Sequence, residues 1–151
     1  MADDLEKRML EKFPGAIEVL PPHRDLPSER TFRVSTGRIV DVCNYLKNDE
    51  KFNFLSDLCG VHYPEKDKKF EVVYHIFSID NKQRLRLKVA AGTGEKVPSV
   101  TGVWGTADWH ERECFDLLGI EFSGHPNLKR ILLPDDWEGH PLRKDYPLSG
   151  R

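Results

Sequence analysis

W-H-E-R-E-C-F-D-L-L-G-I-E-F-S-G-H-P-N-L-K-R-I-L-L-P-D-D-W-E-G-H-P-L-R-K-D-Y, from Trp109 to Tyr146, joins two unlike kinds of chain. Its first third reads as a helix. The helix stops at Gly119, a residue free to take the positive φ that closes a last turn. Beyond it the chain is broken by Pro126, Pro134, Pro141 and Pro147, each of which removes an N–H and restricts its neighbour. That run is expected to be extended. It also carries Phe122, Leu128, Ile131, Leu132, Leu133, Trp137, Leu142 and Tyr146, so it has to lie against something, its own domain or another chain.

The helix has two faces. Ala107, Glu111, Cys114, Phe115 and Leu118 form one, apolar enough to pack on a sheet; Trp109, Arg112, Glu113 and Asp116 form the other. Glu111 is then partly buried and needs a cation or an N–H, which Arg130 or Arg143 can supply by folding back. The rival is that these charges pair with another protein. Arg112 precedes Asp116 by four residues, the spacing of a surface ion pair.

Outward from this stretch, an α+β domain is expected. Asp3 to Lys12 has Leu5, Met9 and Leu10 at helical spacing and stops before Pro14. Ile17 to Leu20 and Arg30 to Ser35 read as short strands, with a loop from Pro21 to Pro27 between them. Thr36 is the expected N-cap of a helix reaching about Asn48. Phe52 to Val61 reads as strand or irregular core. Phe70 to Ile79 and Arg84 to Ala90 form a β-hairpin, with Arg84, Arg86 and Lys88 on a solvated face. The sum is a small, mainly antiparallel sheet with helices on one face over residues 1–122, followed by an extended Pro-rich docking segment over residues 123–151 that is not an independent domain.

Composition narrows the function classes. At 151 residues the chain can bury about 70% of its unfolded surface, so it needs neither disulfide nor metal to fold. A net charge of −2 argues against a nucleic-acid surface. No apolar run approaches the roughly 20 residues of a membrane span, and the charged N-terminus lacks the apolar core of a signal peptide. Cys43, Cys59 and Cys114 are odd in number and widely spaced, which reads as free thiols in a reducing compartment and falls short of a four-thiolate cluster.

Other chemistry weighs less. Ala91 to Lys96 lacks the spacing of a phosphate loop and reads as a flexible turn after a strand. His110 and Cys114 share a helix face at a metal-ligand spacing, but no second pair accompanies them, so no metal ligand is assigned. Glu111, Glu113, Asp116 and Glu121 offer carboxylates for acid–base work, yet no nucleophile stands beside them; no catalytic residue is assigned. Arg130, Trp137, Arg143 and Tyr146 are of the types that anchor interfaces.

The runs E-R-E-x-x-D-L-x-G-I-x-F, H-P-x-L-x-R-I-L and H-P-L-R-K-D-Y-P, together with V-P-S-V-T-G-V-W-G-T-A-D-W ahead of them, resemble the signature of the 30-kDa subunit family of respiratory complex I, the C-type subunit of bacterial NADH–quinone oxidoreductase. The motif falls on Glu111, Arg112, Glu113, Asp116, Gly119, His125, Pro126, Arg130, Pro141, Arg143, Asp145 and Tyr146. The first hundred residues match only in the order of elements. The resemblance implies a non-catalytic scaffold in the hydrophilic arm of a proton-pumping enzyme, supporting electron transfer from NADH to quinone. It implies contact with the 49-kDa-type large subunit and neighbouring subunits. FMN and iron–sulfur clusters would sit in those partners and not in this chain, at the cytoplasmic face of the cell membrane. The equivalent subunit of a membrane-bound hydrogenase or a photosynthetic relative is the alternative; a small carboxylate-dependent enzyme is a third.

Overall fold

A computed structural model describes residues 2–21, 30–134 and 136–143. The expected loop through Pro27 lies largely outside them. The chain runs α1 (Ala2–Lys12), β1 (Ile17–Leu20), β2 (Arg30–Val34), a 3₁₀ turn (Thr36–Arg38), α2 (Ile39–Asn48), β3 (Phe54–His62), β4 (Phe70–Ser78), β5 (Gln83–Ala91), β6 (Val97–Pro98), α3 (Ala107–Leu118) and β7 (Phe122–Ser123).

The five long strands form one sheet in the order β1-β2-β5-β4-β3, and β6 pairs with β7 in a small second sheet. Every pairing in the main sheet is antiparallel except β2 with β5. The hairpin holds register from Phe70 opposite Ala91 to Ser78 opposite Gln83. Period-two alternation sends Val72, Tyr74 and Ile76 of β4 and Leu85, Leu87 and Val89 of β5 to one face, where all are buried. Leu5 and Met9 of α1, Val42 and Leu46 of α2, and Cys114 and Leu118 of α3 join the same core. This is the expected α+β layering. Leu10, which shares the helical spacing of Leu5 and Met9, instead stays 43% exposed.

The opposite face is polar and partly closed by ion pairs. Glu71 is buried there, with Lys88 Nζ at 3.8 Å and Arg33 Nη2 at 3.9 Å. Of the three basic residues expected in solvent, Arg84 is exposed, whereas Arg86 and Lys88 are half-buried.

Two local expectations give way. Thr36 does not cap α2: it begins the 3₁₀ turn, and its hydroxyl donates to the Ala90 carbonyl at 3.0 Å, tying the turn to the end of β5. Phe52 to Val61, ambiguous from its apolar content, contains most of a nine-residue strand. That strand is interrupted by a bulge between Leu55, opposite Ile76, and Asp57, opposite His75. The extra residue, Ser56, donates its hydroxyl to the His75 carbonyl at 2.9 Å.

α3 packs on β3 at Gly60. A Cβ there would sit 2.6 Å from Leu118 Cδ1 and 2.8 Å from Ile120 Cδ1, so the helix approaches the strand more closely than any side chain permits. This contact fixes α3 at the sheet edge and sets where the segment after it begins.

Candidate interaction site

The site is α3 and the chain wrapped around it. Its helix ends as the sequence predicts: Gly119 adopts φ +80° and donates its N–H to the Phe115 carbonyl at 2.8 Å. The next two orphan carbonyls of the last turn are satisfied by the following segment. His140 Nδ1–H and Arg130 Nη1–H reach the Asp116 carbonyl at 2.9 and 3.1 Å, and the Leu142 N–H reaches the Leu117 carbonyl at 2.8 Å. The His140 ring lies directly over Gly119, where a Cβ would meet it at 2.8 Å.

Arg112 and Asp116 face the same way, but they do not pair with each other. Both grip the backbone of the following segment. Arg112 donates from Nε to the Lys129 carbonyl at 3.2 Å and from Nη2 to the Arg130 carbonyl at 3.0 Å. One Asp116 oxygen, Oδ2, accepts the N–H groups of Ile131, Leu132 and Leu133 at 3.2, 2.7 and 3.0 Å. The other, Oδ1, accepts Arg130 Nη1–H at 2.7 Å, while Arg130 Nη2–H goes to the Gly139 carbonyl at 2.7 Å. The two charged residues thus hold residues 129–133 from both sides of the peptide. Burial alone would raise the Asp116 pKa. Arg130 and the three backbone N–H groups outweigh it and hold the carboxyl below its ordinary value.

Glu111 is fully buried on the sheet side, and its partners are not the ones expected. Neither Arg130 nor Arg143 reaches it; the Ser99 hydroxyl donates to Oε1 at 2.6 Å and the Val100 N–H to Oε2 at 2.8 Å. Burial pushes this carboxyl up, and the two hydrogen bonds only partly offset that. Glu111 therefore anchors the turn that leads into α3. Trp104 fixes the same turn from the other end, its indole N–H donating to the Phe52 carbonyl at 3.1 Å.

The two Gly-His-Pro tripeptides do parallel work. Gly124 and Gly139 both take positive φ, 79° and 85°. His125, its side chain wholly buried, lies with Nε2 at 3.2 Å from the Asp108 carbonyl and accepts the Asn127 N–H on Nδ1 at 2.9 Å, which places the ring proton on Nε2. His140 does the equivalent at the other end of α3. Pro126 is exposed beside His125. Glu113 is half-buried on α3 and faces β3. Arg143 stacks over the Phe70 ring at 5.3 Å. Asp145 and Tyr146 lie outside the described residues.

Most signature charges are therefore turned inward, while large apolar side chains are turned outward: Leu132 is 53% exposed, Leu142 59%, Trp137 39% and, on α3, Trp109 55%. The fold-back expectation for Arg130 holds, with Asp116 rather than Glu111 as its target. Spacing could not reveal this, because the groups Asp116 binds are backbone N–H donors 15 to 17 residues away. Glu111 and Asp116 hold separate segments.

This folded signature lies within the match to one family, described as "Respiratory-chain NADH dehydrogenase, 30 Kd subunit", over residues 32–151. The chain belongs to this family. Among its relatives, a C-type subunit of the NADH-quinone oxidoreductase of Rhizobium etli (strain CIAT 652) is 49% identical over 145 residues, covering 94% of this chain and 75% of the relative. The C-type subunit of the NADH-quinone oxidoreductase of Roseiflexus sp. (strain RS-1) is 56% identical over 119 residues, covering 77% and 68%. The fold recurs in a chain from the structure of the membrane-bound sulfane sulfur reductase, an archaeal respiratory membrane complex. That chain has a TM-score of 0.81 and 24% identity, with 97% of this chain and 86% of that one covered. Among the described residues no helix of this 30-kDa-family chain is long and apolar enough to cross a membrane.

Proposed function

We propose that this chain is a scaffold subunit of the hydrophilic arm of an NADH–quinone oxidoreductase, with no active site of its own. It docks through the segment after α3 onto the large subunit that forms the quinone site. The observation that carries the reading is the division of labour within the signature: Arg112, Asp116, Arg130, His125 and His140 are spent on shaping the segment, and Leu132, Trp137 and Leu142 are left facing out. Exposed aromatic and aliphatic anchors on a rigidly held loop are what a partner surface buries. The names of the relatives, each a subunit of an NADH-quinone oxidoreductase, support the donor and acceptor. In this reading FMN and the iron–sulfur clusters belong to partner subunits, and the assembly sits on the cytoplasmic face of the membrane.

A second reading keeps the scaffold and changes the electron donor. It is favoured by the shared fold in the archaeal sulfane sulfur reductase complex.

Co-purification separates these. A tagged chain is expressed in its native host, the membranes are gently solubilised, and the proteins retained are identified. The expected result is a set of quinone-reductase subunits, reduced at least five-fold by the double substitution Trp137→Ala, Leu142→Ala while the purified variant stays folded. A hydrogenase-like set would favour the second reading. Recovery of the chain alone would overturn both.

A further inference from the structure

The β-bulge in β3 has a chemical consequence. In a regular antiparallel register continuing from Leu55 opposite Ile76, Ser56 would face His75 across the ladder, and Asp57 would point into the core beside Tyr74. The inserted residue shifts Asp57 opposite His75 and turns it to the outer face. Cys59, two residues further along β3, lies on that same face. One ligand atom each from Asp57, Cys59 and His75 then falls within 4.8 Å of the others.

We propose that these three residues form a binding site for a divalent cation of borderline softness, with zinc the best fit. The donor set decides the class. A thiolate and an imidazole beside a carboxylate disfavour magnesium and calcium, which take oxygen ligands, and suit zinc. Donors around tetrahedral zinc stand roughly 3.3–3.8 Å apart, so the cluster has to close by only about an ångström. His110 of α3 approaches the same carboxylate from a separate element, its Nδ1 3.6 Å from Asp57 Oδ1, and stands outside the three-donor cluster. His110 and Cys114, four apart on α3, do not act together, because Cys114 is turned into the core beside Gly60.

The carboxylates of Asp57 and Glu113 act on Cys59, which suits a cation there. Burial pushes the Cys59 thiol up, and the negative charges of Asp57 and Glu113 push it further, against the opposing charge of Arg86. A dication reverses that balance. On binding, the Cys59 S–H bond breaks, the proton leaves to solvent, and a sulfur–metal bond forms with no redox change. The metal would tie the edge strand β3 to β4. The site stands on strand pairing and does not depend on the scaffold reading.

The test uses the full chain, reduced and metal-free, titrated with zinc by calorimetry and with cobalt(II) by absorption spectroscopy. The expected result is one ion per chain and a thiolate-to-cobalt charge-transfer band. That band should vanish in Cys59→Ser, and zinc affinity should fall at least ten-fold in Asp57→Asn and His75→Ala. Circular dichroism of Cys59→Ser checks that the variant is folded. Absence of a charge-transfer band in the wild type would overturn the proposal. So would a band that survives Cys59→Ser, or zinc affinity unchanged by both other substitutions.

Discussion

Glu111 sits on the sheet side of α3 and holds the turn that leads into the helix; Asp116, five residues on, sits on the other side and holds the segment that leads away. Both are fully buried. Their carboxyls nevertheless shift in opposite directions, Glu111 up and Asp116 down. Burial is common to both, so the difference lies in what meets the oxygens. Glu111 receives one hydroxyl and one N–H. Asp116 receives a guanidinium and three N–H groups. Few neutral donors leave the cost of burial dominant and the carboxyl raised, whereas a cation and a nest of amides outweigh burial and hold it down. The entry to the helix is fastened by an ordinary polar contact. The exit is fastened by a charged cage, on the side where the exposed Leu132 and Trp137 have to be presented.

The sharpest way to break this contrast is Asp116→Ala. It leaves Arg130, only 11% exposed, without its carboxylate and removes the acceptor for three N–H groups at once. Removing one member of a buried pair is expected to cost about 3 kcal/mol. Urea unfolding should show a lower midpoint, and amides 131–133 should exchange faster than the sheet does. A loss below about 1 kcal/mol, the scale of an exposed pair, would mean that the cage only balances its own desolvation.

Arg112→Ala probes the same segment through its carbonyls. Arg112 is half-buried, and the carbonyls of Lys129 and Arg130 can turn to water. The expected loss is about 1 kcal/mol, with Arg112→Lys in between because it lacks the planar fork. Urea midpoints of the three proteins order these. An Arg112→Ala loss equal to that of Asp116→Ala would show that the segment is held by both charges as one unit.

The layout of α3 was legible because it rests on local rules: helical spacing, a positive-φ glycine, and prolines that forbid continuation. The hairpin was legible for the same reason, since β-branched and aromatic alternation flanks a polar turn. What escaped was every contact between a side chain and distant backbone. Arg112 and Asp116 have the spacing of a pair, but peptide groups of residues 129–133 compete for both and win. Thr36 has the chemistry of a cap, yet the Ala90 carbonyl, 54 residues later, takes its hydroxyl. Asp57, Cys59 and His75 look scattered until a bulge puts them on one face. The parallel pairing of β2 with β5 left no local mark either, since it depends on the path of everything between them.

The smallest expected effect is Glu111→Gln, and it tests the other half of the contrast. A glutamine carbonyl can accept the Val100 N–H, and its NH₂ can donate to the Ser99 oxygen, so the turn keeps its bonds without a buried charge. At pH 7 the change in stability should stay within about 1 kcal/mol. The pH dependence carries the sign. The folded pKa of Glu111 lies above its unfolded value of about 4.3. As pH falls between the two, the folded state binds a proton that the unfolded state does not, and the wild type gains stability relative to Glu111→Gln. Asp116 acts oppositely: its folded pKa lies below about 3.9, so its contribution is present above that value and is lost as pH falls through the folded pKa. Unfolding free energies of wild type and Glu111→Gln, measured from pH 7 to 4, should therefore separate in mild acid with the wild type rising. A difference above about 2 kcal/mol at pH 7 that does not vary with pH would instead make Glu111 a fixed charge, and the two ends of the helix would be fastened alike.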